Sequence, residues 1–251
     1  MLDIDTILIW IAAAGFVAQL VDGALGMAYG LTANTILLAL GVPPAAASAT
    51  IHAAEVATTG VSGLSHAIAG NVDWRLVRRL AIAGSVGGVA GATVLSRAPV
   101  ELIAAAVSLY LACMGLVIVR RALMAARRPG SLDHAGGVAL AGGFCDAVGG
   151  GGWGPIVSGT LMLSGHEPRR MIGSSNAAEF AVTVAITAAF LAHMSIGEFG
   201  MYAVALVAGG LPAAPLAAWL VRIAPRRVLM IAVGVLISAL GVVGVVRVLA
   251  T

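Results

Sequence analysis

Asp22-Gly-Ala-Leu-Gly-Met-Ala-Tyr-Gly30 and Asp146-Ala-Val-Gly-Gly-Gly-Gly-Trp-Gly-Pro155 stand 124 residues apart and read as two copies of one device. Each opens on an acid and runs through glycines inside an otherwise apolar stretch. Glycine is about 1 kcal/mol worse than alanine in a helix, and Pro155 has no backbone donor, so both stretches interrupt helices. Non-helical backbone at membrane depth is tolerated only where protein buries it or where it lines water. Short, glycine-interrupted segments at matching places in two halves of a chain point to a transport site. Amide groups freed at such a break suit an anionic solute.

Outward from these stretches the match continues without a gap from residue 18 to residue 59. Gly26 meets Gly150, Gly30 meets Gly154, Pro44 meets Pro168, Ala53-Ala54-Glu55 meets Ala177-Ala178-Glu179, and Thr59 meets Thr183. Tyr29 stands opposite Trp153. Chains rich in alanine and glycine match themselves by chance, but two aligned aspartates and two aligned glutamates among eleven acids are a true repeat.

Composition sets the class. Of 251 residues, 60% are hydrophobic and 10% charged, and the mean hydropathy is +1.03. A soluble domain needs a far more charged surface. Apolar runs fall near 6–22, 27–41, 46–69, 76–95, 99–122, 135–148, 153–165, 171–193, 199–221 and 227–249. Most are long enough for a helix to cross about 30 Å of hydrocarbon, and they lack the alternation of a membrane barrel. The expected fold is an all-α polytopic membrane protein, one membrane domain over 1–251. Its halves are expected at 1–126 and 135–251, joined by a cytoplasmic linker at 127–134.

All fourteen basic residues are arginines in or near short loops, a topology signal rather than a nucleic-acid face. Counting ten alternations, twelve fall on one side and only Arg97 and Arg247 on the other. The larger group belongs in the cytoplasm, which puts both termini outside it. Five segments per half is an odd number, so the second half enters from the opposite face. The sequence therefore predicts two inverted-topology repeats with broken short helices at their interface. The N-terminus lacks the positive region of a signal peptide, and residues 6–22 read as a retained helix.

Seven of the eleven acids lie at the N-terminus, in loops or at helix ends; the other four are Asp22, Glu55, Asp146 and Glu179. An acid at the centre of a lipid-facing helix costs about 2.5–3.5 kcal/mol, so these four should face the bundle interior. They are candidates for coupling or gating, or alternatively they cap broken helices and bridge neighbours. Ser48, His52, Glu55, Thr59, Ser62 and His66 recur at intervals of three and four and share one helical face. His52 and Glu55, one turn apart, are placed to exchange a proton or to tie two helices together. His66 reads as a helix-end residue. Gly84, Gly87, Gly88 and Gly91 read as close helix packing. No metal-ligand spacing, no nucleophile elbow and no Walker loop is present, and no cofactor is expected.

These motifs, with Ser48-Ala-Thr-Ile-His-Ala-Ala-Glu-Val-Ala-Thr-Thr59, Ile172-Gly-Ser-Ser-Asn-Ala-Ala-Glu-Phe180 and Gly70-Asn-Val-Asp-Trp74, resemble the TauE/SafE sulfite and organosulfonate exporter family. That family is also called the toluene sulfonate uptake permease family. The resemblance covers nearly the whole chain. The first glycine motif departs from the family's triple-glycine form, with Met27-Ala28-Tyr29 where glycines often stand. The resemblance implies ATP-independent transport of small sulfur-containing anions such as sulfite or sulfoacetate, by a multi-pass protein of the cell inner membrane. On that reading Asn176, Ser174, Ser175 and the backbone of Gly150, Gly151, Gly152 and Gly154 hold the anion, with His52 adding a charge-assisted bond. Tyr29 and Trp153 shape the cavity. The partners are then the anion and the lipid bilayer, with a homo-oligomer left open. An intramembrane enzyme and a channel-like membrane subunit are the rival readings.

Overall fold

Proline and aspartate mark where the helices start. Proline stands in the first turn of the helices at Pro44 and Pro168, where its missing N–H costs nothing. Asp73 caps another, its Oδ1 accepting from the amides of Arg75 (3.0 Å) and Leu76 (3.2 Å). The computed structural model describes residues 4–25, 27–124, 131–163, 166–223 and 226–249. Within them the first half comprises α1 (Ile4–Leu25), α2 (Tyr29–Ala39), α3 (Pro44–Ile68), α4 (Trp74–Arg97) and α5 (Val100–Leu123). The second half comprises α6 (Ala135–Gly149), a π-helical turn (Gly154–Ser158) running into α7 (Gly159–Leu163), then α8 (Pro168–Leu191), α9 (Gly200–Ile223) and α10 (Arg226–Leu249). Each expected apolar run has its helix. The run at 153–165 is split, because Pro155 removes a donor in its first turn and the backbone opens into the wider π spacing. Of the linker expected at 127–134, residues 127–130 lie outside the described residues, as do both chain ends.

Three helical stretches among the described residues, Trp74–Arg97, Ala105–Leu123 and Arg170–Leu191, are long and apolar enough to cross a membrane. By contrast α2 has 11 residues; at 1.5 Å per residue it spans about 16 Å, roughly half the hydrocarbon. The surface carries large apolar side chains such as Ile82, Val86, Leu116 and Leu211, all more than half exposed. Polar residues lie inside: Asn34, Ser48, His52, Glu55, Asp146, Ser175 and Thr183 are all buried. A bundle with oily outside and polar core is built for lipid.

Four helix pairs carry most of the packing: α1 on α9, α4 on α6, α3 on α8 and α5 on α10. Exchanging the halves at an offset of 124 residues turns α1 on α9 into α6 on α4 and returns the other two pairs to themselves, whereas α4 on α8, about as extensive as α3 on α8, has only a slight counterpart in α3 on α9. Small residues let these backbones meet. A Cβ on Gly15 would stand 2.1 Å from the Leu206 carbonyl oxygen, one on Gly87 2.0 Å from that of Leu140, and one on Gly115 2.4 Å from that of Gly234. The Gly84 to Gly91 stretch packs as its spacing suggests, with Gly84 leaving room for the Trp153 ring.

Candidate functional site

The two interruptions meet in the middle of the bundle. A Cβ on Gly30 would fall 2.3 Å from the carbonyl oxygen of Gly150 and 2.8 Å from Cα of Gly151. One on Gly154 would fall 3.4 Å from Cα of Met27. Since Met27 aligns with Gly151 and Gly30 with Gly154, these are the same contact seen from each half. Chain reversal in the second break passes through Gly150 at φ 62°, the left-handed region open to glycine. The first break passes through Ala28 at φ 84°, where a side chain is strained.

An aspartate organises each break. Asp22 Oδ1 accepts from the Tyr29 amide at 3.3 Å. Asp146 Oδ1 accepts from the amides of Gly152 (2.5 Å) and Trp153 (2.9 Å). Tyr29 and Trp153 are repeat counterparts, so each acid reaches the amide seven residues on. Of the amides expected to meet an anion at the second break, that of Gly152 thus already meets the Asp146 carboxylate, and those of Gly150 and Gly151 meet its carbonyl oxygen. Two residues the sequence reading overlooked complete this turn. The Tyr110 hydroxyl donates to the Gly151 carbonyl at 2.9 Å, and Asn34 Nδ2 donates to the Gly149 carbonyl.

Between the breaks lies a cavity of about 330 Å³, lined by Asp22, Tyr29, Glu55, Asp146, Asn176 and Glu179 together with Gly151, Gly152 and Gly154. All four intramembrane acids of the sequence reading share this one space. Among the described residues its wall holds no arginine. His66, in the last turn of α3 as the sequence suggests, lines it too, together with Thr59 and Ser62.

Other candidates stand behind the wall. Trp153 is fully buried, and its Nε1 donates to Ser175 Oγ at 3.0 Å. Ser175 Oγ also lies 2.7 Å from Ser158 Oγ. Ser174 Oγ accepts from the Asp73 amide at 2.8 Å, tying α8 to the cap of α4. Neither serine lines the cavity; both lock helices. Gly150 packs against Asn34 beneath the turn. His52 is fully buried, with Nδ1 2.8 Å from the Ser48 carbonyl and Nε2 3.2 Å from Asp146 Oδ2. Ser48 Oγ donates to the Ala147 carbonyl at 2.6 Å, so α3 grips the end of α6 at two adjacent points. Asn176, the counterpart of His52, instead donates to Ser62 Oγ at 2.8 Å.

Oily helices around two meeting breaks and a cavity of paired acids define a multi-pass membrane protein with a polar cavity at its centre. The sequence model described as Sulfite exporter TauE/SafE matches residues 11–244, and the chain belongs to that family of membrane transporters. It is similar to the "Probable membrane transporter protein YtnM" of Bacillus subtilis (strain 168), 42% identical over 224 residues, which is 86% of this chain and 75% of that protein. No solved structure matches the chain.

Proposed function

We propose that the chain is a secondary transporter that exports small sulfur-containing anions such as sulfite, sulfoacetate or other organosulfonates across the cell inner membrane. One observation carries this reading: the interruptions of the two halves close around a single polar cavity. Inverted halves that share a central site supply alternating access, by rocking one half against the other. With twelve arginines against two setting the topology, both termini lie outside the cytoplasm.

The cavity's electrostatics set the coupling. Asp22, Glu55, Asp146 and Glu179 line it without a facing arginine, so an anion enters only with compensating positive charge. Glu179 on α8 is the acid we assign to carry a proton. It shares the cavity with Asp22, Tyr29, Glu55, His66 and Asp146. We assign Asn176 and the Tyr29 hydroxyl, both on the cavity wall, to meet the anion, while Trp153, Ser174 and Ser175 shape the wall from behind.

Flux of sulfite and of sulfoacetate into proteoliposomes, with and without a pH gradient, tests the proposal. Saturable flux that rises with the gradient is expected, and Glu179→Gln should remove the gradient response. Folded protein that moves neither anion would end the assignment of substrate class.

A further inference from the structure

His52 and Glu55 on α3 and Asp146 at the end of α6 each offer one ligand atom, all within 4.8 Å of one another, and all three residues are buried. The tautomer of His52 follows from its neighbours. Nδ1 lies 2.8 Å from the Ser48 carbonyl oxygen, which only accepts, so Nδ1 carries a hydrogen. In the neutral ring Nε2 then presents a lone pair, and it faces Asp146 Oδ2, another acceptor, at 3.2 Å. Something positive belongs between them. A proton is one answer; a metal ion is the other. Ligands about 2.0–2.1 Å from a tetrahedral metal stand roughly 3.3 Å apart, close to the 3.2 Å between His52 and Asp146; Glu55, within 4.8 Å of both, closes in on the ion.

Two further observations favour the metal. Glu55 is 6% exposed, and its Oε2 is buried without a hydrogen-bond partner. An orphaned carboxylate oxygen beside a histidine and an aspartate is a ligand atom in waiting. The other two ligands are already oriented from behind. His52 is held through Nδ1 by Ser48, and Asp146 through Oδ1 by the Gly152 and Trp153 amides, leaving one atom of each free for a common centre. Such outer partners are characteristic of built metal sites.

We propose that His52, Glu55 and Asp146 bind one divalent transition-metal ion, with an open coordination position turned toward the cavity that Glu55 and Asp146 line. One imidazole nitrogen and two carboxylate oxygens suit zinc, manganese or ferrous iron, and do not suit sodium or potassium. The open position receives an oxygen of the transported anion, which answers the want of a cationic side chain there. That last step rests on the anion-transport reading; the metal site does not.

Cobalt(II) is the probe. The full chain, purified in detergent and stripped with chelator, is expected to take up one Co²⁺ and to show visible d–d absorption that Zn²⁺ abolishes. Glu55→Gln should bind Co²⁺ at least tenfold more weakly. Since Oε2 has no partner, that change removes no hydrogen bond through it, and retained helical dichroism checks the fold. His193→Ala, altering an exposed histidine beyond α8, should bind as wild type does. A folded wild-type chain without a one-to-one cobalt spectrum overturns the proposal, as does Glu55→Gln binding equally well. Sulfite should shift the cobalt spectrum. Full gradient-driven flux from chelator-stripped protein would remove the metal from transport while leaving anion transport standing. A cobalt spectrum in a chain that moves no anion would do the reverse.

Discussion

The two breaks of the duplicated frame differ in how tightly they are held. At the second, Asp146 is 2% exposed and meets two amides and His52; Tyr110 and Asn34 brace the same turn, and glycine takes the left-handed position. At the first, among the described residues, Asp22 is half-buried and meets one amide at 3.3 Å, and alanine sits in the left-handed region. One half is an anchor and the other is loosely tied. The two stretches match in sequence, yet their local hydrogen bonding differs.

The largest expected effect breaks this contrast at its strong side. Asp146→Ala strips the acceptor from two buried amides, which should cost on the order of 3 kcal/mol and abolish transport. Asp22→Ala removes a single long bond and should cost about 1 kcal/mol. Thermal unfolding in detergent, followed by tryptophan fluorescence, compares the two; equal shifts would mean that both breaks are held alike. The next effect pairs two counterpart glycines. In Gly30→Ala the methyl meets the Gly150 carbonyl oxygen at 2.3 Å, a backbone atom with little freedom to move, whereas in Gly154→Ala it meets the Met27 Cβ at 3.0 Å. We expect Gly30→Ala to lower flux tenfold or more and Gly154→Ala to lower it less than threefold, measured in proteoliposomes at matched protein content. The smallest effect is a gain. Ala28→Gly relieves the left-handed alanine and should stabilise the chain by about 1 kcal/mol, seen as a higher unfolding temperature.

Much of this was legible in the sequence, for physical reasons. Apolar runs must be near membrane thickness, so the ten helical segments could be read off directly. Asp22, Glu55, Asp146 and Glu179 are expensive in lipid, so their convergence on an interior space was a fair expectation, and one cavity holds all four. Pairings across the bundle were not legible. His52 and Asp146 are 94 residues apart, and local spacing carries no trace of them, so no metal-binding pattern was visible in the chain. Tyr110 lies in an apolar run with nothing to mark it as the brace of a turn in the other half. The amides of the second break were read as free for a solute because a glycine run shows loose backbone but not its partner. The serines at 174 and 175 stand behind the cavity wall for a related reason: a polar side chain inside a membrane must find a partner, and theirs are in the protein.

Thr59 Oγ1 lies 3.4 Å from Thr183 Oγ1, and the two are 124 residues apart, the repeat offset itself. A residue that touches its own counterpart marks the contact through which two identical subunits of a symmetric dimer would meet. A chain of half this length would carry both faces of that contact on one surface.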